Sequence, residues 1–280
     1  MGDTQVVVLA DGREVARESA HRLVGELRDA IDQRGEAHVA LTGGSSAVAL
    51  YRELSSESRW RAALDWGQVH LWWGDERFVP VDHPDSNAGM AYSMLLAVGA
   101  RSGESGSIGA SGVDVAVGDV PALPIAAENV HPFEIDEALS ESDAAELVAQ
   151  RYAESLQRLL PKSETGLPAF DVVLLGVGAD GHVMSVFPGS AALEPYAPLV
   201  LAIPAPEHIG PHLPRLTLNP RLLEAAGLVL VMVSGEGKAE VIARIIRGKR
   251  DPHRLPAQLA ERDNAVWVLD EGAAALLGRG

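Results

Sequence analysis

Residues 170–190, F-D-V-V-L-L-G-V-G-A-D-G-H-V-M-S-V-F-P-G-S, constrain this chain more than any other stretch. The run 170–175 is short, apolar, rich in β-branched residues and closed by glycine, the pattern of a strand buried on both faces. Gly176, Gly178 and Gly181 then impose an abrupt turn whose backbone can come close to a ligand. That turn carries Asp180 and His182, and Ser185 and a Phe187-Pro188-Gly189-Ser190 corner follow. A doubly buried strand belongs in an open parallel sheet, where ligands bind beyond the carboxyl ends of the strands. Histidine, with an ordinary pKa near ~6.5, moves protons at neutral pH. The stretch therefore delivers an acid–base group to the mouth of a pocket.

Two other readings of the same residues carry less. Gly176, Gly178 and Gly181 match the spacing of a dinucleotide fingerprint. Asp180, however, sets a negative charge where a pyrophosphate would lie, and the next apolar run, 199–203, does not end in an acidic residue to hold a ribose. A turn histidine without chemistry is the other reading, and the surrounding glycines, Asp180 and Ser185 speak against it.

Elsewhere strand and helix patterns alternate. Strands are expected at 6–9, 37–41, 68–73, 125–131, 170–175, 199–203, 228–233 and 265–269, and helices at 14–34, 46–54, 87–97, 143–160, 220–226, 238–247 and 271–277. This alternation specifies an α/β fold, a mostly parallel, Rossmann-like sheet with helices on both faces. With 280 residues the chain can form one large domain or two small ones. We read 1–280 as a single catalytic domain with a flexible glycine- and serine-rich insertion at 101–118.

The net charge of −16 argues against a nucleic-acid or anionic-membrane partner, since either needs a basic face. It also means that an anionic substrate needs a local basic cluster. The absence of cysteine excludes disulfides, thiolate nucleophiles and cysteine metal sites. The first residues lack the basic and apolar regions of a signal peptide, and runs such as 228–233 are too short to span a bilayer, so a cytoplasmic setting is expected.

Three stretches supply candidate anion contacts. Thr42-Gly43-Gly44-Ser45-Ser46 joins a strand to a helix, either as a phosphate cradle or as an ordinary turn with a serine cap. Gly74-Asp75-Glu76-Arg77 gathers three charges at a strand's carboxyl end, and Asp85-Ser86-Asn87 follows. Lys238 falls in the first turn of a helix, where the dipole disfavours a cation, so it faces either a bound anion or solvent. His208 and His212 have a metal-ligand spacing for a helix, but Gly210, Pro211 and Pro214 make the segment a loop.

Taken in order, four blocks resemble the bacterial type of 6-phosphogluconolactonase, a relative of the glucosamine-6-phosphate deaminase/isomerase superfamily. They are residues 41–46; 74–80 with 85–87; 176–185 with 187–190; and 214–217 with Gly237 and Lys238. Ala47 stands where the family often has proline, and Val183-Met184 where a small polar residue is frequent. The resemblance implies hydrolysis of 6-phospho-D-glucono-1,5-lactone in the pentose phosphate pathway, by a carboxylic ester hydrolase with neither metal nor organic cofactor. The implied partner is a small sugar phosphate lactone, with the chain a monomer or a small homo-oligomer. On that basis His182 is the base and Asp180 orients either the imidazole or the sugar. Asp75 takes sugar hydroxyls, and Ser185 also contacts substrate. Arg77, Arg215 and Lys238, with the Gly43-Gly44-Ser45 backbone, hold the phosphate. The deaminases of the superfamily carry a tyrosine where Arg77 stands and a glutamate soon after the turn's histidine, where this chain has Ser185-Val186-Phe187. A non-catalytic sugar-phosphate sensor would need a DNA-binding domain, for which 1–34 is too short and too little basic.

Overall fold

The computed structural model describes residues 4–96, 107–108, 113–114, 122–139 and 144–278. The elements run β1 (Gln5–Leu9), α1 (Gly12–Arg34), β2 (Ala37–Leu41), α2 (Ser45–Ser56), α3 (Ser58–Arg61), β3 (Val69–Trp73), β4 (Asp75–Arg77) and α4 (Asn87–Ala91). They continue with β5 (Ser107–Ile108), β6 (Val113–Asp114), α5 (Ile135–Ala138), α6 (Ala144–Leu159), β7 (Val172–Leu175), β8 (Val200–Ile203), β9 (Arg215–Leu218), β10 (Leu228–Val233), α7 (Ala239–Arg247) and β11 (Ala265–Asp270). β5 and β6 pair with each other inside the 101–118 insertion, the rest of which lies outside the described residues.

Six strands form one parallel sheet in the order β1-β11-β10-β7-β2-β3. Every residue of β2, β7 and β11 is buried, so both faces of the sheet's centre are covered. From β2 the chain steps outward to β3, whereas from β7 it steps the other way through β10 and β11. The β2–β7 boundary is thus the point where the winding reverses, and the crevice beyond their carboxyl ends is where such a sheet binds ligands. α1 shows how local sequence sets an element. Asp11 caps it by accepting from the backbone N–H groups of Arg13 and Glu14 at 2.9 and 3.0 Å. Its apolar stripe, Val15, Leu23, Val24 and Leu27, is buried against the sheet, and Gly35 ends it in the left-handed conformation.

A second sheet rises from the first. The N–H of Gly74 donates to the Leu41 carbonyl at 2.8 Å, and its carbonyl accepts from Leu218 N–H at 2.9 Å. One residue therefore belongs to both sheets, and β3 runs directly into β4 of an antiparallel sheet ordered β4-β9-β8.

The mostly parallel architecture expected from sequence is present, with local departures. Residues 199–203 do form a strand, but in the antiparallel sheet, and residues 214–217, read as part of a loop, supply its middle strand. The segment 125–131 is not a strand. It makes a 3-10 turn, Ala127–Asn129, then a single parallel bridge from Val130 to Leu71 at the edge of β3. The helix expected over 87–97 is α only to Ala91 and continues as a π-helical turn, Tyr92–Leu96. Residues 271–277 form turns rather than a helix.

Candidate active site

The turn after β7 is closed by two backbone bonds: Gly178 N–H to the His182 carbonyl at 2.9 Å and Gly181 N–H to the Gly178 carbonyl at 3.0 Å. A Cβ on Gly178 would lie 2.1 Å from two atoms of the His182 ring, so only glycine lets the imidazole fold back over the turn. Met184 holds φ at 52°, a sparsely populated conformation for a side-chain-bearing residue, and faces the cavity. The His182 Nδ1 lies 2.5 Å from Asp180 Oδ1, and Asp180 Oδ2 lies 2.7 Å from His208 Nε2. Burial works to raise the Asp180 pKa, but the hydrogen bonds from His182 and His208 outweigh it and hold the carboxyl well below the ordinary range. An ionised carboxylate cannot donate. His182 therefore carries a proton on Nδ1, so that in the neutral ring Nε2 is the nitrogen with a lone pair to accept one.

Across the cavity the turn after β2 is stitched by Tyr51, whose hydroxyl donates to the Thr42 carbonyl at 2.7 Å and accepts from Thr42 N–H at 3.2 Å. Gly43 packs on the Asn87 side chain so closely that a Cβ would sit 2.0 Å from Asn87 Oδ1. Asn87 in turn donates to the Asp75 carbonyl at 2.9 Å. Glu76 lies under this corner, accepting backbone N–H groups of Arg77, Asn87 and Ala88 at 2.7, 2.8 and 2.7 Å. Burial pushes its carboxyl up to about 7 against the pull of those donors.

Arg77 and Arg215 are directly paired across β4 and β9, so both side chains emerge on one face. The Arg77 guanidinium donates to the Asp85 carbonyl at 2.6 Å, and Arg215 donates to the carbonyls of Pro211 and Leu213 at 2.9 and 3.2 Å. Among the described residues neither guanidinium lies within 4.0 Å of a carboxylate oxygen. Burial, and then the neighbouring Arg77, lower the pKa of Arg215. Like charges opposed on adjacent strands repel, and an anion between them removes that cost. Lys238, in a 3-10 turn before α7, donates to the Val177 carbonyl at 2.7 Å; burial lowers its pKa, with the charge of Asp180 opposing.

One cavity is lined by His182, Gly43, Gly44, Ser45, Asp75, Arg77, Arg215 and Lys238, together with Asn87 and Met184. Two residues named from sequence do not line it. Asp180 stands behind His182. Ser185, expected to touch substrate, is fully buried and donates to Asp75 Oδ2 at 2.7 Å, so it orients the carboxylate that lines the cavity. From sequence, Asn87 and Glu76 have no site role: Glu76 has only its place between Asp75 and Arg77 as a signal, and Asn87 reaches Asp75 through the fold. His208 reads from sequence as a loop histidine, and no local pattern links it to Asp180. It does not act with His212, whose Nδ1 donates to the Pro206 carbonyl at 2.6 Å.

Comparison with known proteins follows the same lines. A family described as "Glucosamine-6-phosphate isomerases/6-phosphogluconolactonase" matches residues 10–268. The chain belongs to this family. Among its members, a protein of Mycobacterium tuberculosis named 6-phosphogluconolactonase is 35% identical over 279 residues, covering 98% of this chain and 96% of the relative. The family fold is also that of the 6-phosphogluconolactonase structure from Trypanosoma brucei, at 28% identity and TM-score 0.80, covering 99% of this chain and all (100%) of that one. A monomeric glucosamine-6-phosphate deaminase, 16% identical with TM-score 0.72 over 98% of this chain and 100% of that one, shares the fold alone.

Proposed function

We propose that the chain hydrolyses 6-phospho-D-glucono-1,5-lactone to 6-phospho-D-gluconate, the second step of the oxidative pentose phosphate pathway. The observation that carries this reading is a carboxylate-held imidazole, His182 on Asp180, in one cavity with the opposed pair Arg77 and Arg215. The relatives named 6-phosphogluconolactonase support it.

A lactone is an activated ester, so its opening needs a positioned water, a base and a cationic setting for the oxyanion. The Nε2 of His182 takes a proton from water as the water oxygen bonds to the lactone carbonyl carbon. Asp180 holds Nδ1–H and stabilises the imidazolium that forms. When the tetrahedral intermediate collapses, the bond from that carbon to the ring oxygen breaks. The imidazolium returns its proton to the ring oxygen, which becomes a hydroxyl, and one water has been added overall. Arg77 and Arg215 clamp the phosphate, with Lys238 and the Gly43-Gly44-Ser45 backbone completing the basic lining. Asp75, one oxygen occupied by Ser185, accepts from sugar hydroxyls with the rest. We read the chain as one catalytic unit acting in the cytoplasm.

The test is acid release from freshly prepared lactone at constant pH, with and without the purified protein. Hydrolysis well above the spontaneous rate, with strong preference for the 6-phosphorylated over the unphosphorylated lactone, is the expected result. A rate equal to the spontaneous one overturns the reading.

A further inference from the structure

We propose that His208 is a positioning residue: from the loop between β8 and β9 it holds the second oxygen of Asp180, so that the first meets His182 in a single orientation. The kinetic consequences rest on the hydrolase reading above; the geometry does not. Because the carboxylate only accepts, both imidazoles donate to it, His182 through Nδ1 at 2.5 Å and His208 through Nε2 at 2.7 Å. Two donors on opposite oxygens stop the carboxylate from rotating about its bond to Cβ. Phe187 buttresses the pair, its ring centroid 4.7 Å from that of His182 and 5.7 Å from that of His208, the latter edge-on. The His208 side chain is 51% exposed, so burial in the core does not account for its placement. The same loop, through the Pro211 and Leu213 carbonyls, tethers Arg215. A single segment thus supports the base at one end and the paired arginines at the other.

A donor on Oδ2 draws part of the Asp180 charge away from Oδ1, the oxygen that meets His182. Loss of His208 leaves the full charge facing His182 and frees the carboxylate to turn. Among the described residues, other charged groups near this cluster are Lys238 before α7, Arg215 beyond the Phe187 ring, and Asp75 and Arg77 across the cavity, with Glu207 next to His208 in sequence. Substitution of His208 leaves each of them in place.

The test compares wild type with His208→Ala, which removes the donor, and His208→Gln, which keeps an N–H. The readouts are kcat and KM against pH, and an NMR titration of the His182 ring in the protein without substrate. For His208→Ala, kcat is expected to fall about ten-fold, on the order of one hydrogen bond, with KM nearly unchanged. The acid limb of kcat/KM and the NMR titration of the His182 ring should both differ from wild type. His208→Gln should restore most of each effect. A His208→Ala protein with the wild-type pH profile and titration midpoint overturns the proposal. If wild type fails to open the lactone, the functional reading falls, and the NMR comparison alone decides for or against His208.

Discussion

At the scale of single residues, His182 and Asp180 divide the work by what each atom touches. Asp180 is committed on both oxygens to imidazole donors, which favours a role holding the proposed base His182 over one against the sugar. Replacing His182 with alanine removes the proposed proton acceptor from the cavity wall, where the ring is only partly buried and, among the described aromatic residues, touches the core at the Phe187 ring alone. The expected result is a kcat lower by ~10²–10⁴-fold with the melting temperature unchanged, measured by acid release and thermal unfolding. Near-wild-type turnover would remove His182 from the mechanism. The arginines are expected to behave differently, because in the proposed function they meet the substrate's phosphate before and during reaction alike. Arg77→Ala or Arg215→Ala should raise KM for the phosphorylated lactone by the equivalent of about 1.5–3 kcal/mol, the value of one charge-assisted hydrogen bond. The unphosphorylated lactone should be nearly unaffected; equal losses on both substrates would show that the phosphate lies elsewhere.

At the scale of elements, the site depends on how β4, the start of α4 and the turn after β2 lock together. Glu76 is the fastener: its two oxygens take three backbone N–H groups and the Ser86 hydroxyl, which donates at 3.2 Å. Glu76→Gln keeps the shape but turns one acceptor into a donor that faces N–H groups. At about pH 8, where the wild-type carboxyl is ionised, the variant should lose roughly 1–3 kcal/mol of stability in denaturant unfolding. Asn87 and, through it, Gly43 then lose their seating, so KM should rise as well. An unchanged unfolding midpoint would mean that Glu76 is not the fastener. Only part of this corner was legible beforehand. Residues 74–77 announced a charged strand end, yet the direct opposition of Arg77 and Arg215 needs the register of β4 on β9, a pairing between distant segments. The strand 215–218 alternates arginine and threonine with leucine, but four residues after a proline do not display a period long enough to mark a strand.

At the scale of the whole molecule, the opposite edge of the parallel sheet carries its own electrostatic load. His38 and His70 are register partners near the amino ends of β2 and β3, and His70 Nδ1 lies 3.0 Å from His131 Nε2. Burial lowers the pKa of all three, His131 to about 4, with His70 and His38 adding to the effect there. The unfolded chain, with histidines near ~6.5, takes up protons that the folded protein resists. This contribution to stability is full above about pH 6.5 and is lost as pH falls toward 4. Unfolding free energy should therefore decline between about pH 6.5 and 4, and His131→Gln should shrink that decline. An identical pH dependence in the variant would show that the cluster is not responsible. The sequence by itself determined the alternation of strands and helices, the buried strand at 172–175, and the glycine turn that bears Asp180 and His182. Each rests on neighbours a few residues apart, whose periodicity and backbone freedom act locally. The tertiary structure alone decided that Ser185 turns inward to Asp75, that two arginines from distant strands share a face, and that His208 reaches Asp180. Strand order, register and loop path bring these groups together, and they depend on the packing of the whole sheet rather than on any short run of residues.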